Sequence, residues 1–369
     1  MPPSSPLRAR ARTLASLGLA AILVAAAGCR RADETSTTAN KGGTPPGAGA
    51  PAAYPEIPSK KGQKIKVGML PKVKGNPYFN ACEQGAKEAA AQLGNVELIY
   101  DGPNEGGKPD KAIQIIENWT TQKVDVIAIS ADDPIATSPA MEAARRKGIH
   151  VITWDADADP QRSGREFFVN QATEQAIGET LVDLMAQEAG PNAPVAIVTA
   201  TLTAANQNAW IGWMKKRMAS KYPKMTLVTD PKPSEEDRSR AFQVTQDLLK
   251  AYPQLKGVWG MSSNAFPGAA DAVDQAGKKG QVAVLGLSTP KDMKEFVDKG
   301  VVKSVLLWNP LDLGYLTVYA ARALADGDLK AGSTEITAGR LGAKKVEKDQ
   351  VLLGTPMVFN KGNINKFNF

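Results

Sequence analysis

Strand-length apolar segments alternate with amphipathic segments along the chain from residue 64 onward. The strand-like segments are residues 64–70, 96–100, 124–129 and 150–154. Between them, apolar residues recur at helical spacing over residues 77–93, 109–122 and 135–147. Repeated βα units of this length predict a parallel sheet covered by helices on both faces.

The same alternation restarts after residue 172. Strands are predicted at 194–199, 225–229, 257–261, 282–287 and 302–307, and helices at 173–188, 208–222, 240–251, 265–277 and 291–299. The sequence therefore predicts an α/β protein with two doubly wound parallel-sheet lobes and a cleft between them. Ligands of such sheets collect beyond the carboxyl ends of the strands.

Residues 1–28 have the layout of a secretory signal peptide. A basic start precedes a short apolar run that ends in Ala26-Ala27-Gly28-Cys29. The run is too short to span a bilayer about 30 Å thick. The ending resembles a bacterial lipobox, which predicts lipidation of Cys29; an ordinary signal peptide with a chance cysteine is the alternative.

Residues 29–62 contain few large apolar side chains and many Thr, Ala, Gly, Pro and Lys residues. Such a stretch buries too little surface to offset its ordering entropy, so a flexible, lipid-anchored tether is predicted. The roughly 300 residues that follow suffice for two lobes of about 150 residues each.

The net charge and the scarcity of histidine and cysteine argue against several classes of function. The net charge is +7, but Arg8, Arg10 and Arg12 lie in the acid-free first 28 residues, so the remainder carries +4. This small, scattered excess argues against a nucleic-acid partner. The chain has one histidine, His150, and two cysteines. It therefore has few of the side chains that form metal sites or a Ser-His-Asp triad. Cys82 lies in a helical pattern and is predicted to be a small buried apolar residue.

Motifs for nucleotide chemistry are missing from the sequence. Gly68-Met69-Leu70 is followed by Pro71-Lys72 and not by a dinucleotide fingerprint, and Gly106-Gly107 is interpreted as a turn. Acidic residues cluster after two predicted strands: Asp132, Asp133, Asp155, Asp157 and Asp159. Such carboxylates suit acid–base or metal chemistry, but they also accept hydrogen bonds from sugar hydroxyls.

Several segments together resemble the type I periplasmic binding proteins of bacterial sugar importers, in the branch of rhamnose-binding and autoinducer-2-binding proteins. They include KVGMLPKVKGNPYFNACEQGAKEAA, DVIAISADDP, GIHVITWDAD, TAANQNAW, LWNPLDLGY and MVFNKGNINKFNF. The resemblance implies two lobes joined by three crossovers, closure on a sugar, a membrane permease as partner, a monomer, no cofactor and no enzymatic activity. It places residues 64–170 and 309–338 in the first lobe, and residues 171–308 and 339–369 in the second.

In the first lobe, the resemblance implies a site built from Lys72, Tyr78, Phe79, Asp155 and Asn170. Aromatic faces would cover the sugar ring, Lys72 would donate to its oxygens, and Asp155 would accept from adjacent hydroxyls. Tyr78 and Phe79 could instead be the first turn of a packed helix, and Asp155 could be a capping or loop carboxylate. Asn170 lies at the predicted first crossover.

The second lobe and the return crossover would supply polar side chains that suit hydroxyl groups and one large aromatic. These residues are Asn206, Gln207, Ser263, Asn264, Ser288, Trp308 and Asn309. Trp154 and Trp210 are predicted to be core residues.

Two positions separate the subfamilies. The autoinducer-2 binder has Asp-Gln where this chain has Asn206-Gln207, and Pro-Asp-Ala where this chain has Met261-Ser262-Ser263. A carboxylate is missing in both places, and the rhamnose-type branch has Asn-Gln at the first. A deoxyhexose or similar monosaccharide is therefore favoured over autoinducer-2.

Other classes remain as alternatives. A lipid-anchored carbohydrate enzyme could use Asp155 and Asp133, although the near absence of histidine and of a nucleotide loop disfavours it. A gene regulator would need an N-terminal DNA-binding helix pair where this chain has a signal and a tether. A sugar sensor that serves a chemoreceptor is a further possibility.

Overall fold

The computed structural model describes residues 53–369, which form two α/β lobes, each built on its own sheet. In the first lobe, parallel strands lie in the order β2-β1-β3-β4-β5. They are β1 (Ile65–Leu70), β2 (Val96–Tyr100), β3 (Val126–Ile129), β4 (His150–Trp154) and β5 (Phe167–Asn170), and the connecting helices are α1 (Pro77–Leu93), α2 (Pro109–Thr121) and α3 (Pro134–Arg146).

The second lobe repeats this arrangement around a sheet with the order β7-β6-β9-β10, to which β8 adds a pairing with β6. Its strands are β6 (Pro194–Thr199), β7 (Thr226–Leu227), β8 (Lys232–Pro233), β9 (Gly257–Gly260), β10 (Ala283–Gly286) and β11 (Ser304–Leu307). Its helices are α4 (Glu174–Ala189), α5 (Ala205–Lys221), α6 (Arg238–Ala251), α7 (Ala265–Gln275) and α8 (Pro290–Asp298). Isolated parallel bridges join β11 to the β10 edge.

The C-terminal segment returns to both lobes. It contains α9 (Pro310–Asp326), β12 (Glu335–Thr337), β13 (Ala343–Glu347), β14 (Gln350–Leu352) and β15 (Met357–Asn360). Strand β14 pairs in parallel with β5, and β15 pairs antiparallel with β11. The chain therefore crosses between the lobes three times, after β5, after β11 and after β14.

The predicted fold class is confirmed, and the predicted helices and longer strands agree with the structure to within about three residues. The assignment of residues 339–369 to the second lobe is wrong for β13 and β14, which extend the sheet of the first lobe. The reason is backbone pairing: Val351 lies opposite Val169 at the open edge of β5. Strands β5, β8 and β12 to β15 were not predicted; β8, β12 and β14 have only two or three residues, which is too few to show a period.

The C-terminal end of the predicted tether contacts the first lobe. The ring of Tyr54 lies 5.2 Å from the guanidinium carbon of Arg145, and Lys60 forms an ion pair with Asp125. Arg322 donates to the carbonyl oxygen of Lys60 at 2.9 Å. Residues 53–62 are thus packed on the first lobe, which corrects the predicted tether at its C-terminal end, and the rest of it lies outside the described residues.

Close helix packing brings α1 against the first turns of α9, just after the second crossover. A Cβ atom at Gly85 would lie 1.8 Å from the carbonyl oxygen of Leu311, and one at Gly314 would lie 1.9 Å from that of Cys82. Only glycine permits this approach of α1 to α9. Cys82 is fully buried there, as predicted, and burial raises the pKa of its thiol well above the usual range.

Candidate functional site: a cavity between the lobes

The loops that follow the strands of both lobes line a cavity whose empty space, including its opening to solvent, is about 390 Å³. Its position at the carboxyl ends of parallel strands is the one expected for this kind of sheet. The lining residues are Lys72, Asn76, Tyr78, Phe79, Asp155, Asn206, Gln207, Trp210, Glu236, Met261, Ser262, Ser263, Leu287, Leu307 and Trp308.

Asp155 is the most completely hydrogen-bonded carboxylate of the cavity. Tyr78 donates its hydroxyl to Oδ1 at 2.9 Å, and Ser130 donates its hydroxyl to Oδ2 at 2.7 Å. The indole Nε1 of Trp308 in turn donates to the Tyr78 oxygen at 2.9 Å. These contacts fix the carboxylate while leaving acceptor capacity on both of its oxygens.

The backbone of Asp155 also adopts an uncommon conformation. Its φ is +60°, in the left-handed region that aspartate and asparagine tolerate better than most side chains. The Nε2 of Gln171 donates to the carbonyl oxygen of Asp155 at 3.1 Å. The side chain therefore turns out of the end of β4 into the cleft, and it does not cap a helix.

Burial dominates the electrostatics of this carboxylate. Only 4% of Asp155 is exposed, and this desolvation raises the pKa of its carboxyl group. The positive charge of Lys72 and the hydrogen bonds from Ser130 and Tyr78 oppose the rise, whereas Asp132 adds to it. Lys72 thus supports the charged form of Asp155 without contacting it directly.

Aromatic rings form one side of the cavity. Tyr78 meets Trp308 edge to face, with ring centroids 6.0 Å apart, and Trp210 lies 5.8 Å from Trp308. Phe79 packs against Trp154, which is fully buried as predicted. Trp210 is equally buried but also lines the cavity, so its interpretation as a core residue alone was incomplete.

Polar contacts join the two lobes across the cavity. Lys72 donates to Oδ1 of Asn206 at 3.0 Å. Gln207 is held by its own lobe, because its Oε1 accepts from the Thr199 hydroxyl at 2.5 Å and from the backbone of Ala200 at 2.8 Å. Its amide nitrogen remains available as a donor toward the cavity.

Four predicted residues do not line the cavity. Asn170 ties the crossovers together by donating to Gln350 at 3.1 Å. Asn309 caps α9 by accepting from the backbone of Leu311 at 3.0 Å. Ser288 lies behind the wall, where its hydroxyl faces the backbone of Ser263 at 3.5 Å. Asn264 lies at the rim and donates to the backbone oxygen of Glu236 at 2.5 Å.

Two of the other acidic residues that follow the strands, Asp133 and Asp157, serve the fold. Asp133 caps α3 through the backbone of Ile135 and Ala136, and Asp157 accepts from Arg165 at 2.7 Å. Asp133 is therefore not a partner of Asp155 for acid–base chemistry. Across residues 53–369, no group of three or more acidic, cysteine or histidine side chains could hold a metal ion.

The main residue missed from the sequence is Glu236, which lies in the loop between β8 and α6. It reaches the cavity from the second lobe, facing Lys72 and Asp155. Strand β8 has only two residues, so no strand pattern marked its loop as a strand end. A run of three acids, Glu235 to Asp237, was the only available signal.

Known proteins share this sequence and architecture. The ribose import binding protein of Escherichia coli K12 is 25% identical over 267 residues, which is 72% of this chain and 86% of that protein. A solute-binding protein of an ABC transporter from Clostridium phytofermentas, with bound L-rhamnose, has a TM-score of 0.78 and 29% identity over 82% of this chain and 98% of its own. LsrB from Clostridium saccharobutylicum, in complex with AI-2, has a TM-score of 0.78 and 26% identity over 83% of this chain and all of its own.

The family model of the periplasmic binding protein domain matches residues 67–329. Within the described part of the chain, no helix is long and apolar enough to cross a membrane. Because the family match covers most of the chain, and the neighbours share its two-lobed topology, the protein belongs to the periplasmic binding protein family.

Proposed function

We propose that the protein is the sugar-binding component of a bacterial ABC importer, which holds a monosaccharide between its lobes and delivers it to a membrane permease. Relatives named for ribose and D-allose binding, and neighbours with bound L-rhamnose and D-arabinose, support a monosaccharide as the ligand class. These relatives are named as binding proteins, which supports a binding protein without enzymatic activity; we propose that it acts as a monomer and needs no cofactor.

The observation that carries the proposal is the environment of Asp155. Tyr78 and Ser130 hold its two oxygens, and both oxygens keep acceptor capacity for adjacent hydroxyls. Phe79 and Trp308 present ring surface to the same cavity. A fixed carboxylate beside aromatic rings suits a molecule with hydroxyls on its edge and C–H groups on its face.

A rhamnose-like deoxyhexose is the favoured ligand. Asn206 and Ser262 bring neutral groups to the second-lobe side, where the autoinducer-2 binder has carboxylates. The side chains of Met261, Leu287 and Leu307 add apolar lining that would suit the methyl group of a deoxyhexose. Since LsrB is as similar in structure as the rhamnose-bound neighbour, autoinducer-2 is the competing ligand.

Calorimetry on the purified protein tests this function, with L-rhamnose, L-fucose, D-ribose, D-allose and autoinducer-2 as ligands. We expect micromolar or tighter binding of a deoxyhexose, and at least tenfold weaker binding of autoinducer-2. The reverse preference would replace the deoxyhexose by autoinducer-2. Failure to bind every compound would overturn the proposed sugar-binding function.

We further propose that the mature protein is anchored through a lipid on Cys29, which lies outside the described residues. The support is the run of small residues before this cysteine at the end of an apolar segment. The Cys29→Ser variant should lose acyl-chain labelling and leave the membrane fraction, or should remain unprocessed. Labelling and fractionation equal to those of the wild type would contradict the anchor.

A further inference from the structure

Two carboxylate oxygens near the cavity are enclosed by protein and have no hydrogen-bond partner: Oδ1 of Asp132 and Oε2 of Glu236. Asp132 is only 7% exposed, and its other oxygen accepts from the backbone of Gly107 at 2.6 Å. Glu236 is half-buried as a residue and lines the cavity itself. A buried acceptor without a donor costs free energy, so each of these oxygens requires an explanation.

The two side chains approach each other from opposite lobes. Asp132 follows β3 in the first lobe, whereas Glu236 lies before α6 in the second. The loop with Gly106 and Gly107 connects them, because Gly107 binds Asp132 and a Cβ atom at Gly106 would lie 2.8 Å from the Cβ of Glu236. Both side chains therefore lie against the same Gly106-Gly107 turn, where the two lobes meet.

The backbone at Glu236 is held in an unfavourable conformation. Glu235 and Glu236 have φ angles of +53° and +55°, although neither is glycine. Consecutive side chains in the left-handed region cost free energy, and such strain persists where surrounding contacts enforce it. Here Asn264 donates to the carbonyl oxygen of Glu236 and helps to hold this turn.

We propose that Asp132 and Glu236 form an acceptor pair across the cleft that receives hydroxyl groups of the bound monosaccharide. Glu236 is then a specificity-determining residue that selects ligands with hydroxyls at this end. This assignment rests on the proposed sugar-binding function and adds a second-lobe carboxylate to the site around Asp155. A hydroxyl bound to each oxygen would satisfy acceptors that the folded protein leaves open.

The raised pKa of Glu236 allows this assignment to be tested by measuring the protons released on binding. Burial raises the pKa of Glu236 to about 7; Asp132 and Asp155 add to the rise, and Lys72 and the Ser262 hydroxyl oppose it. The other charged groups at the adjacent rim are Lys74, Glu105, Lys108, Glu235 and Asp237. Hydroxyl donors stabilise the charged carboxylate and lower the pKa in the complex, so binding near neutral pH releases a proton to the buffer.

Calorimetry in two buffers of different ionisation enthalpy tests the pair, using the sugar that binds the wild type most tightly. At pH 6.5 we expect proton release on binding, and an affinity that rises between pH 6 and 8. Glu236→Gln should abolish the proton release and weaken binding about tenfold or more at pH 8, because the amide loses a charged acceptor. Asp132→Asn should weaken binding by a similar factor.

Glu235→Gln is the matched control, because Glu235 occupies the same strained turn but is exposed. It should bind like the wild type and release the same proton. Wild-type binding with no proton release, together with unchanged affinity in both Glu236→Gln and Asp132→Asn, would overturn the acceptor pair and leave the sugar-binding function standing. Wild-type protein that binds no sugar would overturn both.

Discussion

Asp155 and Glu236 are carboxylates on opposite sides of one cavity, yet their surroundings differ. Asp155 receives hydrogen bonds from Tyr78 and Ser130, both within its own lobe. Glu236 has an enclosed oxygen with no partner and a pKa raised to about 7. The first lobe therefore holds a preorganised acceptor, whereas the second lobe holds one with an oxygen whose hydrogen bond remains to be made. Preorganisation reduces the cost of binding, so Asp155 should contribute more to affinity than Glu236.

Replacing Asp155 should have the largest effect. We expect Asp155→Ala to weaken sugar binding about 30-fold or more, because it removes charge-assisted hydrogen bonds of roughly 1.5–3 kcal/mol each. It also leaves the buried donors of Tyr78 and Ser130 unpaired and places alanine at a φ of +60°. Calorimetry should therefore show the loss of affinity, and thermal unfolding a melting temperature lower by several degrees.

Asp155→Asn separates the loss of sugar affinity from the loss of stability, since asparagine tolerates the same backbone conformation. It should keep a circular dichroism spectrum and melting temperature closer to those of the wild type while still binding weakly. Wild-type affinity in a well-folded Asp155→Ala variant would show that the sugar is held elsewhere.

Glu236→Gln should have the opposite effect on stability. Its pKa of about 7 in the folded protein exceeds the usual value of 4.5, so the stability it contributes is present below pH 4.5 and lost as the pH rises through 7. Without ligand, the variant should be more stable than the wild type by about 1–3 kcal/mol at pH 8, and the difference should shrink toward pH 5. Urea unfolding at both pH values measures this difference, and equal stabilities at pH 8 would contradict the raised pKa.

The smallest expected effect concerns the contact between the lobes. Gly106→Ala adds a methyl group 2.8 Å from the Cβ of Glu236, which should displace the turn and weaken sugar binding about threefold with little change in melting temperature. Gly212→Ala is the control, because nothing lies within 4 Å of a Cβ atom there. Equal affinities of the two variants would show that this contact does not matter for closure.

The sequence by itself determined the alternation of strands and helices, the fold class, and the strand ends that carry Lys72, Asp155 and Asn206. These features are local, since hydrophobic periodicity and strand-end position depend only on neighbours along the chain. The same reasoning predicted the burial of Cys82 and Trp154 correctly.

Tertiary structure decided the remaining features. Strands β13 and β14 join the first lobe because an edge of β5 is open there. Asn309 caps a helix, although its neighbour in the chain, Trp308, lines the cavity. Asp133 caps a helix, whereas an oxygen of its neighbour Asp132 is buried without a hydrogen-bond partner. Glu236 reaches the cavity only because two lobes, distant in sequence, meet there. Such roles depend on which groups the fold brings together, and no local pattern of residues encodes that information.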